Sequence, residues 1–328
     1  MNTARDAQGN ALTPVQAARA LGDDGGIETL IIAIGANNAL GSVIELRVEW
    51  STNDTADADL QTHKQFTVWN PMHFQTQLNS LVAEVESINA RHIIWATVPH
   101  VTIAPIARGV QNKVEPGSRY FPYYTRPWIS DRNFDPKDDP KITENEARAI
   151  DSAIDQYNDA ITTIVRNARN NGRDWYLFDL AGLLDRLASR RYIDDPSARP
   201  EWWTKYELPP ELQALSPVPN SSFFTSDPQR GRTNGGLFSL DGIHPTTIGY
   251  GIVVQELITI MQRDAQVKFY LGDGTTERTE PIRVDFNRLI ALDTLISDPP
   301  RSLASDLHWL GWLDQKLDIF MRMLRMGG

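Results

Sequence analysis

The chain of 328 residues contains no cysteine. Disulfide bonds, thiolate metal sites and a cysteine nucleophile are therefore excluded. No apolar run approaches the roughly 20 residues that a membrane-spanning helix requires. No block of basic residues offsets the formal net charge of −10, which argues against a nucleic-acid-binding surface. These absences disfavour thiol chemistry, membrane passage and nucleic-acid binding.

The first ten residues, MNTARDAQGN, are polar and lack the basic-then-apolar order of a secretory signal peptide. If Met1 is the true start, this favours a cytoplasmic protein; otherwise the localisation stays open. The hydrophobic content of 41% and the charged content of 23% are ordinary for a globular protein.

Three apolar stretches without polar alternation, at 27–35, 92–98 and 175–180, are typical of strands buried on both faces of a parallel sheet. Two amphipathic patterns, at 71–88 and 143–170, predict helices between them. Thr143 and Glu146 form a capping-box pattern at the start of the second helix. The order of strands and helices predicts an α/β fold with a parallel sheet.

Two long segments rich in aromatic residues and proline, at 100–140 and 183–236, interrupt this pattern. Long connections within a domain are functional or disordered, and the aromatic content argues against disorder. We expect the first to be an ordered flap over the site. The sequence thus suggests one domain over 1–264 with two insertions, followed by a C-terminal helical extension over 265–328.

The last stretch of that extension, 302–326, has leucines and methionines at alternating steps of four and three residues. The stripe could seal against the body of the domain or against a second copy of the chain. Helical spacing alone favours ordinary packing, so a homo-oligomer through 302–326 is the alternative.

The segment LFSLDGIHPTTIGYGIVVQEL places Asp241 and His244 three residues apart, just ahead of an apolar helical pattern. At this spacing the carboxylate can accept a hydrogen bond from one imidazole nitrogen and leave the other nitrogen free as a base. Thr246 or Thr247 can cap the following helix. For an isolated motif, a structural Asp and His at a helix start would be the better interpretation.

A second short motif, Gly35-Ala36-Asn37-Asn38, follows the first apolar stretch directly. Small and polar residues at the carboxyl end of a buried strand occupy the place where open α/β sheets bind ligands.

Together, GANN and DGIHPTTIGYG resemble the third and last blocks of the SGNH (GDSL-like) hydrolase family. The resemblance implies a three-layer α/β/α sandwich, no metal or organic cofactor, and a small-molecule, glycan or lipid ester as substrate. It also implies that Asn37 helps to form the oxyanion hole, that Asp241 orients the imidazole, and that His244 is the general base. Asn38 stands where the family pattern has Asp.

The sequence departs from the family in its N-terminal part, because it contains no Gly-Asp-Ser and only 34 residues precede Gly35. The nucleophile block and the second block's Gly are therefore absent, and the first two strands of the fold are expected to be missing. A truncated chain is favoured over a true short form, since removing strands exposes an apolar sheet edge. Ser239 belongs to the wrong element for a nucleophile. The alternative function is a non-catalytic binding or interaction protein on the same scaffold.

Other polar residues are better explained structurally. His100 could border the site, but a satisfied structural histidine is the favoured interpretation. Asp179 is expected to cap the segment that follows the third strand. His63, His73 and His92 have no metal-ligand spacing with nearby carboxylates.

Overall fold

A computed structural model describes residues 8–52 and 66–300, together with Arg5. The helices of this part are α1 (Pro14–Gly25), α2 (Asn37–Glu45), α3 (Pro71–Val85), α4 (Glu144–Asn170), α5 (Leu180–Leu187), α6 (Pro210–Gln213), α7 (Thr247–Arg263), α8 (Phe286–Leu292) and α9 (Thr294–Ser297). The strands are β1 (Ile27–Ile32), β2 (Ala90–Ala96), β3 (Arg108–Val110), β4 (Tyr123–Thr125), β5 (Ile142–Thr143), β6 (Trp175–Phe178), β7 (Thr225–Asp227) and β8 (Gly231–Asn234).

The central sheet has the order β1-β2-β6, and both pairings are parallel. Ile31 lies opposite Ile94, and Ile94 lies opposite Tyr176. The predicted α/β fold with a parallel sheet is confirmed. Two small antiparallel sheets, β3-β4-β5 and β7-β8, form in and next to the aromatic-rich segments.

Side chains of β2 alternate between two hydrophobic clusters. Ile93 and Trp95 belong to the cluster that holds the buried residues of α3 and α4, whereas Ile94 and Ala96 belong to the cluster of α7. Period-two alternation therefore presents both faces of the strand to helices, which explains its uninterrupted apolar sequence. Phe286 of α8 joins the α7 cluster.

The prediction of burial on both faces is wrong for β1, in which only Ile32 is buried. Among the described strands β1 pairs only with β2. Ile31 is 42% exposed and Ile34, two residues beyond the strand, is 51% exposed. An apolar edge of this kind is a template for pairing with a further strand.

Local signals in the sequence were reliable guides to helix ends. Thr143 and Glu146 form the predicted capping box at the start of α4. Asp179 accepts a hydrogen bond from the Gly182 amide at 2.9 Å, so its predicted capping role is confirmed. The helix α2 was not predicted, because its nine residues carry no capping side chain at Ala36.

A buried ion pair joins α4 to the aromatic-rich segments. The Asp151 carboxylate is fully buried and accepts hydrogen bonds from Thr102 Oγ1 at 2.5 Å, Tyr120 Oη at 3.0 Å and Arg191 Nη2 at 2.7 Å. Burial alone raises the pKa of Asp151, but the charges of Arg191 and His100 outweigh burial and hold the pKa at about 2. The carboxylate is therefore a charged anchor inside the protein.

His100 extends this network. Its Nε2 lies 2.9 Å from Asp155 Oδ1, and its Nδ1 lies 3.4 Å from Asp185 Oδ2. Burial lowers the pKa of His100, but attraction to Asp151, the hydrogen bond to Asp155 and the nearby Asp185 raise it to about 9. His100 is therefore a buried structural cation, as the favoured interpretation of the sequence had it.

No helix in the described part of the chain is long and apolar enough to cross a membrane. The predicted stripe at 302–326 lies outside the described residues. Within the preceding segment, α8 packs on α7, and Asp293 Oδ2 accepts a hydrogen bond from the Ile248 amide at 3.0 Å.

Arg191→Met removes the main counter-ion of the buried Asp151 carboxylate and leaves it only the weaker attraction of His100 and of Arg119 at 3.8 Å. We expect the free energy of unfolding to fall by about 3 to 5 kcal/mol, measured by urea denaturation. The double variant Asp151→Asn with Arg191→Met should recover part of this loss, because the carboxylate that lost its main counter-ion is then neutral. In contrast, Arg173→Met breaks an exposed 3.5 Å pair with Glu86 and should change stability by less than about 1 kcal/mol. Equal losses for the two single variants would contradict the assigned role.

His100 also makes stability depend on pH. Because its folded pKa is raised, its stabilising contribution is complete below the unfolded value of about 6.5 and is lost as pH rises through about 9. We expect the free energy of unfolding of the wild type to fall over this interval more steeply than that of His100→Gln. Parallel curves for the two proteins would show that His100 is not a buried cation.

Candidate functional site

The structure brings Asp241 and His244 together as the spacing predicts. His244 Nδ1 lies 2.6 Å from Asp241 Oδ2. The second oxygen, Asp241 Oδ1, accepts hydrogen bonds from Ser239 Oγ at 2.6 Å, from the Ile243 amide at 2.8 Å and from the His244 amide at 3.0 Å. The carboxylate is thus held by its own loop while it holds the imidazole.

These contacts keep Asp241 charged. Half-burial raises the pKa of Asp241, but hydrogen bonds from Ser239, His244 and two backbone amides outweigh it and hold the pKa below its usual range. An ionised carboxylate can accept a hydrogen bond only, so it selects the tautomer of His244 that carries its proton on Nδ1. The lone pair of Nε2 is then free.

The loop is fixed at both ends. Phe238 and Pro245 form an antiparallel bridge, and the Ile106 amide donates to Gly242 O at 3.1 Å. Gly242 has φ of 66°, and a Cβ there would lie 2.8 Å from the Ile106 nitrogen, so glycine is required. Thr246 caps α7 by accepting from the Gly249 amide at 3.2 Å, as the sequence predicts.

The side chain of His244 is 62% exposed, whereas that of Asp241 is 27% exposed. Asp241 therefore orients the imidazole from the less exposed side, and the rest of the ring is accessible to solvent. This is the arrangement that a general base requires, because its free nitrogen must reach a group outside the protein interior.

Asn37 begins α2 at the carboxyl end of β1, and it is exposed. Gly35 has φ of 109°, and a Cβ there would lie 2.7 Å from Val98 Cγ2, so the turn into α2 requires glycine. Within the described residues, no hydrogen bond joins Asn37 to Asp241 or His244. The structure places Asn37 at the strand end that the sequence predicts without linking it to the pair.

Ser239, the serine weighed in the sequence analysis, and two further serines are hydrogen-bonded to groups other than His244. Ser239 donates its hydroxyl to Asp241, Ser42 donates to Ala39 O at 2.6 Å, and Ser226 donates to Pro300 O. In residues 8–52 and 66–300, no serine hydroxyl is hydrogen-bonded to His244. These contacts give Ser239 an orienting role and argue against it as the nucleophile.

His73 and His92 are buried, and His73 Nδ1 lies 2.7 Å from Ser51 Oγ. His63 lies outside the described residues. No group of three or more metal-ligating side chains occurs in the part of the chain that the structure describes.

Sequence reasoning missed a cavity of about 460 Å³ beside this loop. Phe223 lies in its wall, and its ring faces Gly242 so closely that a Cβ on that glycine would be 2.9 Å away. Its lining includes four arginines from separate parts of the chain: Arg108, Arg119, Arg190 and Arg191. Only the neighbours Arg190 and Arg191 give a local signal, and two adjacent arginines are ordinary on a protein surface.

Comparisons with protein-family models, curated proteins and solved structures found no match for this chain. The function is therefore inferred from the site itself.

Asp241→Ala should release the imidazole of His244. In the wild type we expect the Nδ1–H tautomer, read from the ¹⁵N shifts of the ring nitrogens at a pH where the ring is neutral. The Asp241→Ala variant should shift toward Nε2–H, because the acceptor at 2.6 Å is gone. Ser239→Ala keeps that acceptor and should retain Nδ1–H. A wild-type ring in the Nε2–H form would refute the orienting role of Asp241.

Proposed function

We propose that the chain carries the base half of a serine ester hydrolase site of the SGNH (GDSL-like) kind, on a three-layer α/β/α sandwich. The observation that carries the proposal is the 2.6 Å contact between Asp241 and Nδ1 of His244, whose side chain is otherwise exposed to solvent. The substrate class is an ester of a small molecule, a glycan or a lipid.

In this mechanism His244 Nε2 takes the proton from a serine hydroxyl as that oxygen attacks the ester carbonyl. Asp241 stabilises the imidazolium that forms, and remains ionised throughout. His244 then returns the proton to the leaving alcohol. Water, activated by the same nitrogen, hydrolyses the acyl-enzyme and restores the serine.

Asn37 would stabilise the oxyanion of each tetrahedral intermediate. Its amide donor is exposed at the first turn of α2, where helix N–H groups also favour negative charge. Losing one such donor in known hydrolases lowers the rate by about 10² to 10³. The requirement for glycine at Gly35 supports the role, since it fixes the turn that presents Asn37.

The proposal requires a nucleophilic serine on a further strand that pairs with β1. Two observations support this part of the proposal. Ile31 of the edge strand β1 and Ile34 just beyond it are exposed, and no described serine is hydrogen-bonded to His244. A further parallel strand there would end beside Asn37, because parallel strands present their carboxyl ends at the same edge.

The test is hydrolysis of p-nitrophenyl esters by the polypeptide translated from the complete reading frame, with any upstream in-frame sequence included. His244→Ala should lower kcat by about 10⁶ and Asp241→Asn by about 10⁴, as for other triads. Asn37→Ala should cost about 10² to 10³.

Val254→Ala is the matched control, because Val254 is exposed on the same helix α7 and should leave kcat unchanged. Equal rates for the wild type and His244→Ala would refute the base. That result would favour the other candidate, a binding protein that keeps the scaffold and its cavity.

A further inference from the structure

The lining of the cavity beside Gly242 has more basic than acidic residues, whereas the chain as a whole has more acidic ones. The whole chain has a formal net charge of −10, yet four arginines line the cavity and Asp131 is the carboxylate among its lining residues. A cluster of guanidinium groups in a concave site creates a local positive potential that the net charge does not reveal.

Three of these arginines have carboxylate partners. Arg108 Nη2 lies 2.6 Å from Asp131 Oδ1, and Arg191 Nη2 lies 2.7 Å from Asp151 Oδ2. Arg119 lies 3.8 Å from the same Asp151. The charges of these three arginines are therefore balanced by carboxylates of the protein.

Arg190 differs from the other three. Within the described residues no carboxylate lies within 4.0 Å of it, and its hydrogen bond in the protein is from Nη2 to Gly109 O at 2.7 Å. Its Nε is buried without an acceptor, and its guanidinium carbon lies 5.0 Å from the centre of the Phe121 ring. Burial and the nearby Arg108 lower the pKa of Arg190, and attraction to the more distant carboxylates Asp131 and Asp194 does not offset them.

A purely structural arginine would be expected to satisfy its charge inside the protein, because an unpaired buried cation is destabilising. Arg190 instead faces a cavity whose volume of about 460 Å³ lies in the range of small-molecule sites. Apolar walls formed by Ile103, Trp128 and Phe223 give the cavity room for a hydrophobic body.

We propose that this cavity binds a small organic anion, whose carboxylate or phosphate group pairs with Arg190 and whose apolar part lies against Phe223 and Trp128. Guanidinium groups recognise both anions through paired N–H donors, so the shared chemistry is an oxyanion on an apolar body. The proposal concerns binding only and does not depend on ester hydrolysis by the neighbouring His244.

The experiment measures the thermal stabilisation of the protein by benzoate, phenyl phosphate and the neutral benzyl alcohol. Saturable stabilisation by one or both anions, and little by the alcohol, is the expected result. The stronger of the two anions identifies carboxylate or phosphate as the preferred group. Arg190→Met should weaken its binding about 10- to 100-fold, the range for a lost hydrogen-bonded charge.

Arg173→Met is the control, since it removes the same charge from a residue that does not line the cavity and should retain full binding. Arg190→Met breaks no ion pair but loses the hydrogen bond to Gly109 O, so each variant is compared with its own ligand-free melting temperature. Arg190→Lys should keep part of the affinity. Stabilisation by benzyl alcohol equal to that by the anions would overturn the proposal. So would unchanged anion binding in Arg190→Met, or no stabilisation by either anion.

Discussion

The ion pair between Asp151 and Arg191 is the constraint on which the irregular half of the molecule depends. Asp151 lies on α4, the longest helix described, and it holds the turn after β2 through Thr102 and the aromatic-rich segment through Tyr120. Arg191 brings the π-helical turn Ser189–Ile193 to the same point. Both aromatic-rich segments, which form only small antiparallel sheets, are thus joined to α4 at one buried carboxylate. Removing either partner would therefore loosen several loops together.

The same anchor explains the cavity. Asp151 holds Arg191 toward the protein interior, and its neighbour Arg190 is thereby placed in the lining of the cavity. Backbone geometry in a tight turn separates adjacent side chains. Arg191 can therefore pair with Asp151 while Arg190 is available to pair with a ligand. The loop of Asp241 and His244 closes against the same wall through Gly242 and Phe223. A binding cavity and an oriented base thus share one boundary, although they are built by different interactions.

Features that depend on near neighbours in the chain could be predicted from the sequence. The three parallel strands, the capping box of Thr143 and the contact of Asp241 with His244 each follow from spacing over a few residues. The predicted burial of both faces was wrong for β1, because burial depends on what packs against the strand. The helix α2 was missed because its start carries no capping side chain. The order β1-β2-β6 and the partners of Asp151 arise from contacts across 30 to 90 residues, for which local patterns carry no signal.

Arg190 illustrates why the cavity could not be predicted from the sequence. In the sequence, Arg190 and Arg191 are equivalent, and either could pair with any of the 42 acidic residues. Their difference appears only when Asp151 and Asp185 are both found beside Arg191, at 2.7 and 3.5 Å. A missing counter-ion is a property of three-dimensional neighbours, since it requires knowing which carboxylates are absent as well as which are present. For the same reason, the exposure of His244 acquires meaning only once Asp241 is seen to be held by Ser239 and the loop backbone. Unsatisfied groups, rather than motifs alone, are therefore the features that locate the candidate chemistry of this chain.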